Sequence, residues 1–211
     1  MANILVVDDS PFIVDIFVTM LKRAGYTAES ADGGPAALEK LKLFRPDLIM
    51  LDIIMEPMDG WETLVAIKQD LDFKDIPVMM LTAKQITPQE AEAYGIYIED
   101  YILKPITQND LCAAIDTILT RMRDTKEDIE LGLKNGYPEP MIKEYARLVH
   151  QVTVSRRLIK LLENAYEFDD MPNQVSGDIK TLVNNMSRNL TFQNARLIDL
   201  RQTFAKPNTG L

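Results

Sequence analysis

Four apolar residues, Leu48-Ile49-Met50-Leu51, run unbroken into a carboxylate at Asp52. A short apolar run with a polar stop is the pattern of a strand buried on both faces, as in a parallel sheet. Open α/β sheets place their chemistry just beyond the carboxyl ends of such strands, where Asp52 stands. Other stretches repeat the pattern. Asn3-Ile4-Leu5-Val6-Val7 ends in Asp8-Asp9, Pro77-Val78-Met79-Met80-Leu81 ends in Thr82, and Tyr97 to Leu103 ends in Lys104-Pro105. Three carboxylates, a hydroxyl and an ammonium are thereby expected at one rim.

Helical patterns separate these strands. Ser10-Pro11 offers an N-cap with proline at the first helical position, and Phe12, Ile16, Met20 and Leu21 share a face before the stop at Gly25. Thr27 to Ala31 is a weaker strand. Gly33-Gly34-Pro35 opens a helix with Ala37, Leu38, Leu41 and Phe44 inward, and Asp59-Gly60 opens one with Trp61, Leu64, Ile67 and Leu71 inward. A helix from Pro88 to about Tyr94 precedes the last strand. Thr107-Gln108-Asn109-Asp110 caps the final helix, with Asp in the place where a capping box usually has Glu. Five βα units in succession predict a doubly wound, five-stranded parallel sheet over residues 1–123, with helices on both faces.

Residues 124–211 change character. Glu127 to Lys134 reads as a short helix stopped by Asn135-Gly136. A long pattern follows from about Met141 to Glu167, striped by Ile142, Tyr145, Val149, Val152, Ile159 and Leu162. Phe168 to Asn173 reads as a turn, and a second long pattern runs from about Gln174 to Phe204 through Ile179, Leu182, Met186, Leu190, Leu197 and Leu200. The expectation is an all-α helical hairpin. A lone hairpin buries little apolar surface, so a second copy or a helical protein partner is expected against it.

Charge is divided unevenly. Residues 1–123 carry 11 Lys and Arg against 20 Asp and Glu, whereas residues 124–211 carry 12 of each. An acidic first half disfavours nucleic acid by electrostatics, and a neutral second half supplies no general basic field. No apolar run approaches the ~20 residues that span a bilayer, and the opening residues read directly as a strand rather than as a signal peptide. One cysteine, Cys112, excludes an internal disulfide and a cysteine-type metal site, and it reads as a core or semi-buried filler. A cytoplasmic protein without membrane contact is expected.

The strand-end residues resemble the receiver domain of two-component response regulators. The matching strings are Val7-Asp8-Asp9-Ser10, Asp52, Met58-Asp59-Gly60, Thr82-Ala83 and Asp100-Tyr101-Ile102-Leu103-Lys104-Pro105, over residues 1 to about 123. The resemblance implies a flavodoxin-like fold and Asp52 as phosphoacceptor. It implies Mg²⁺ held by Asp9, Asp52 and the Ile54 backbone carbonyl, with Asp8 acting through water. It further implies that Lys104 and Thr82 meet the phosphoryl oxygens, that Tyr101 turns inward as the switch aromatic, that the Lys104–Pro105 bond is cis, and that a sensor histidine kinase is the phosphodonor. The physics agrees, because like charges at ~4 Å cost about 4 kcal/mol per pair at an effective dielectric of ~20, and a cation relieves them. The sequence departs in one loop: Met55-Glu56-Pro57-Met58 puts proline one place late and a carboxylate in its usual slot.

On this reading the protein is a signalling switch rather than an enzyme, with output by protein contact through residues 124–211, as a homodimer or with a helical partner. Two alternatives stand beside it. One is a transcriptional regulator touching DNA through the C-terminal helices. The other is a metal-dependent phosphatase, disfavoured because such enzymes of the haloacid-dehalogenase type carry an Asp-x-Asp nucleophile after strand one, where this chain has Asp8-Asp9-Ser10-Pro11. His150, the sole histidine, lies off the apolar stripe and is followed by Gln151 rather than an acid, so it reads as a flank residue and not a phosphotransfer histidine.

Overall fold

The computed structural model describes residues 1–165 and 173–206. Five strands, β1 (Asn3–Val7), β2 (Thr27–Ala31), β3 (Leu48–Leu51), β4 (Val78–Thr82) and β5 (Asp100–Leu103), form one parallel sheet in the order β2-β1-β3-β4-β5. The three central strands are buried along almost their whole length, which is why their sequences are unbroken apolar runs. The helices are α1 (Pro11–Arg23), α2 (Gly33–Leu41), α3 (Gly60–Gln69), α4 (Pro88–Tyr94), α5 (Gln108–Lys134), α6 (Glu139–Ala165) and α7 (Asn173–Phe204).

Local chemistry explains most boundaries. Asp59 and Glu62 make a reciprocal capping box at α3, and Thr87 and Glu90 make one at α4. Thr107 Oγ1 accepts from the Asp110 amide at 3.2 Å and donates to the Asp110 carboxylate at 2.7 Å, so Thr107 caps α5 but the Asp110 side chain meets its hydroxyl rather than its amide, and the expected box is half formed. Some faces differ from the periodicity. Phe12 is exposed, whereas Leu21 is buried as expected and Phe17 joins it on the core face of α1. Leu71 is exposed because α3 ends two residues earlier, at Gln69. Residues 97–99 are not strand; Gly95–Tyr97 form a 3₁₀ turn and β5 starts at Asp100.

Packing divides the chain into two compact units. One comprises Met1–Gln85 and Tyr97–Leu119, the other Ile86–Ile96 and the chain from Thr120 onward. The first holds the sheet; the second holds α4, the latter half of α5, and α6 and α7. A division at residue 123 therefore falls inside α5. The expected short helix over 127–134 is the end of that 27-residue helix, since no glycine or proline interrupts residues 108–131. In the second unit Ile142, Tyr145, Leu148, Leu200 and Phe204 form an apolar cluster, against which Ile129 and Tyr137 pack. The hairpin stripe is thus partly covered by α5. The turn expected over 168–172 lies outside the described residues.

Candidate functional site

The sheet register brings the site together. Val7 pairs with Leu51, and Thr82 pairs with Leu103. One residue further along each strand, the ladder continues: the Asp52 amide donates to the Val7 carbonyl at 2.9 Å, and the Lys104 amide donates to the Thr82 carbonyl at 2.8 Å. Asp8, Asp52, Thr82 and Lys104 therefore gather at one rim, as expected from the sequence.

Lys104 links the buried acids. Its Nζ donates to Asp8 Oδ2 at 2.6 Å and to Asp52 Oδ2 at 3.0 Å. Asp8 and Asp52 are 4% and 9% exposed, so the pairing takes place largely out of water, where such charge-assisted bonds are strong and an unpaired carboxylate is costly. The remaining oxygens are also held: Asp8 Oδ1 accepts from the Ser10 amide at 2.9 Å, and Asp52 Oδ1 accepts from the Ile53 amide at 2.7 Å. Burial pushes the Asp8 carboxyl above its ordinary value, against the opposing pull of Lys104 and the Ser10 amide. The Phe17 ring lies 5.9 Å from the Lys104 ammonium. The Lys104–Pro105 bond is cis, as the resemblance implied, and so is Glu56–Pro57.

Asp9 is different. It is exposed, and its Oδ2 accepts from the Glu56 amide at 3.1 Å. It lines an open cleft of about 510 Å³ together with Ile54, Glu56, Asp59 and Lys84. Among the described residues, no three acidic side chains lie close enough to hold a metal ion by themselves.

Thr82 is fully buried, and its Oγ1 accepts from the Lys84 amide at 3.3 Å. Tyr101 is 1% exposed; its hydroxyl donates to the Lys84 carbonyl at 2.6 Å, and its ring stacks on Trp61 at 6.3 Å. Tyr101 thus sits inward. Trp61 as its platform was not singled out as functional by the sequence, although its place next to Asp59-Gly60 was visible. Gly60 has a further role. Its amide donates to the Ile53 carbonyl at 2.9 Å, and a Cβ at this position would lie 2.0 Å from the Asp52 carbonyl oxygen. Only glycine lets α3 start so close to the backbone of the acceptor strand.

His150 takes a structural place. It is partly buried, and Nε2 lies 2.7 Å from the Ile96 carbonyl within the second unit. Cys112 is half-buried, and burial pushes its thiol up. No helix among the described residues is long and apolar enough to cross a membrane.

A five-stranded parallel sheet, two buried aspartates clamped by a strand-end lysine, and a buried threonine at the end of the strand next to that of Asp52 define the class of α/β signalling receivers. The model of the response regulator receiver domain matches residues 4–116, and the chain belongs to that family. Residues 121–208 match a second family, described as Metanogen output domain 2. Response regulator MprA of Mycobacterium leprae is 30% identical over 163 residues, which is 76% of this chain and 71% of the relative. The DNA-binding dual master transcriptional regulator RpaA of Synechocystis is 32% identical over 121 residues, 57% of this chain and 50% of the relative. Among solved structures, the chemotaxis protein CheY4 of Vibrio cholerae is 30% identical with a TM-score of 0.53, covering 56% of this chain and 98% of its own.

Proposed function

We propose that Asp52 accepts a phosphoryl group from a sensor histidine kinase in the presence of Mg²⁺, and that the helical unit carries the output. The observation that supports this most directly is the Lys104 ammonium held between Asp8 and Asp52 beside a buried Thr82. Asp9, Asp52 and the Ile54 carbonyl would hold the metal, with Asp8 acting through water. When bound, it would neutralise charge on the group being transferred.

Asp52 is the nucleophile. One of its oxygens forms a bond to phosphorus as the bond to the donor's histidine nitrogen breaks, and the product is an acyl phosphate. Lys104 pairs with a phosphoryl oxygen, and the Thr82 hydroxyl donates to another. Taking up that role costs Thr82 its bond from the Lys84 amide, and Lys84 also holds Tyr101. Residues 82–84 lead directly into α4, which packs in the helical unit. A change at Thr82 therefore has a covalent route to the output helices, biasing a two-state element. The chain acts as a phosphoacceptor switch without turnover of an outside substrate, in the cytoplasm.

Acetyl phosphate with Mg²⁺ is expected to add one phosphoryl group by intact mass, and Asp52→Ala to remove it completely. A label that persists in the variant would refute the assignment. For the output, a homodimer or a helical protein partner through residues 124–211 is the preferred reading, and Phe192, largely exposed on α7, is available for such a contact. A DNA-binding output is a second reading, because RpaA is named as DNA-binding. Sedimentation and a gel shift, each with and without beryllofluoride, separate the two.

A further inference from the structure

The second unit contains a cavity of about 380 Å³ between α4, α6 and α7, within the size range of small-molecule sites. Its wall is rich in side-chain amides, with Asn185 and Asn189 exposed to solvent and Gln151 and Gln193 half-buried. Asn185, Asn189 and Gln193 recur every four residues along one stripe of α7, and Gln151 of α6 lines the cavity with them. Val154, Leu158, Leu182 and Met186 supply the apolar surface.

The amides are not satisfied by one another. Gln193 Nε2 donates to Gln151 Oε1 at 3.4 Å, a long bond. Gln193 Oε1 is the one buried side-chain polar atom among the described residues that lacks a partner. Turning the amide over exchanges an orphaned acceptor for an orphaned donor, so the demand for a partner persists. Buried polar groups in folded proteins are almost always paired, with protein or with water, so this atom is a point where a water or the edge of a ligand can bond.

Charge narrows the ligand. Among the described residues, no Lys, Arg or His lines the cavity, and Glu92 is the sole ionisable residue there. A phosphate or carboxylate would meet a negative charge without a counter-ion. Side-chain amides pair in bidentate fashion with planar edges that set a donor beside an acceptor, as an adenine edge does. We propose that this cavity is an effector site for an uncharged planar ligand bearing such an edge, a nucleobase or a carboxamide. Binding itself does not depend on phosphorylation. Any effect of the ligand on output rests on the switch reading above, because the same α4 follows Thr82.

The test uses the full chain and isothermal titration with adenosine and with nicotinamide, and AMP as the charged control. Saturable binding of adenosine alone assigns a nucleobase, and of nicotinamide alone a carboxamide. AMP is expected to bind at least ~10-fold more weakly than adenosine. Gln193→Leu, which removes the orphan, should weaken binding by about 10-fold, the worth of one good hydrogen bond, without lowering the melting temperature. Asn189→Ala, which leaves the apolar surface intact, should weaken it similarly. Binding of neither probe, AMP binding as tight as adenosine, or unchanged affinity in both variants overturns the proposal. Because phosphorylation of Asp52 is read separately by mass, failure of this site is distinguishable from failure of the switch.

Discussion

The two units are held together by different physics. In the sheet unit, the critical contacts are buried and charged, and each has a specified partner: Lys104 between Asp8 and Asp52, with backbone amides on the remaining oxygens. In the helical unit the centre is apolar and aromatic. Phe204 lies 5.2 Å from both the Tyr137 and Tyr145 rings, and the charged contacts sit at the rim. There Arg196 forks onto Glu144, with Nε and Nη2 each at 3.0 Å from a carboxylate oxygen. A buried ionic centre is weak as a source of stability, yet breaking it from one side is costly. Under the proposed phosphotransfer it suits a site whose charge changes. A packed aromatic centre stabilises without a preferred charge state.

Truncating the aromatic centre should have the largest effect. Phe204→Ala is expected to cost the helical unit about 4 kcal/mol, as buried Phe truncations do, measured by urea unfolding. Beryllofluoride binding at Asp52 should persist. Its loss would break the division into two kinds of unit.

Lys104→Met is expected to cost about 3 kcal/mol at pH 7, because it strands Asp8 and Asp52 as buried anions. The sign with pH is definite. Without the ammonium, burial and repulsion from Asp52 hold the Asp8 carboxyl in the folded state above its unfolded value. The folded state then binds more protons, so the loss shrinks as pH falls from 7 towards 5. A deficit that stays constant over this range would show that the lysine acts by packing alone.

Gly60→Ala follows, at roughly 1–3 kcal/mol, the range for overpacking, since the methyl meets the backbone of Asp52. A slower reaction with acetyl phosphate should accompany the lower unfolding midpoint. The smallest effect belongs to the rim. The Arg196 hydrogen bond holds the Glu144 carboxyl below its ordinary value of 4.5. That contribution is present above pH 4.5 and is lost as pH falls through the lowered value. Carboxyl-detected NMR should place the Glu144 midpoint below 4.5, and Arg196→Gln should return it there.

The sheet and its rim were legible in the sequence because both depend on short-range signals. Strand burial shows as an apolar run, and the residue that ends the run is the one presented at the edge. Asp8, Asp52, Thr82 and Lys104 needed no long-range information beyond the strand order. The helical unit was legible only as patterns. The polar stretch 123–127 hides the continuity of α5, although it contains no breaker. The membership of α4 in the helical unit was not legible at all. It depends on Gly95, where a Cβ would lie 2.4 Å from a Leu158 methyl carbon, and on the His150 contact to the Ile96 carbonyl, and neither residue type announces such a neighbour. Trp61 under Tyr101 was hidden for the same reason.

Gly60 also determines where movement is available. With the start of α3 set hard against the main chain of Asp52, the acceptor has an anvil behind it and no slack on that side. Under the proposed phosphotransfer, movement at Asp52 would have to be taken up on another side, and Thr82 is held there only by a 3.3 Å bond from the Lys84 amide.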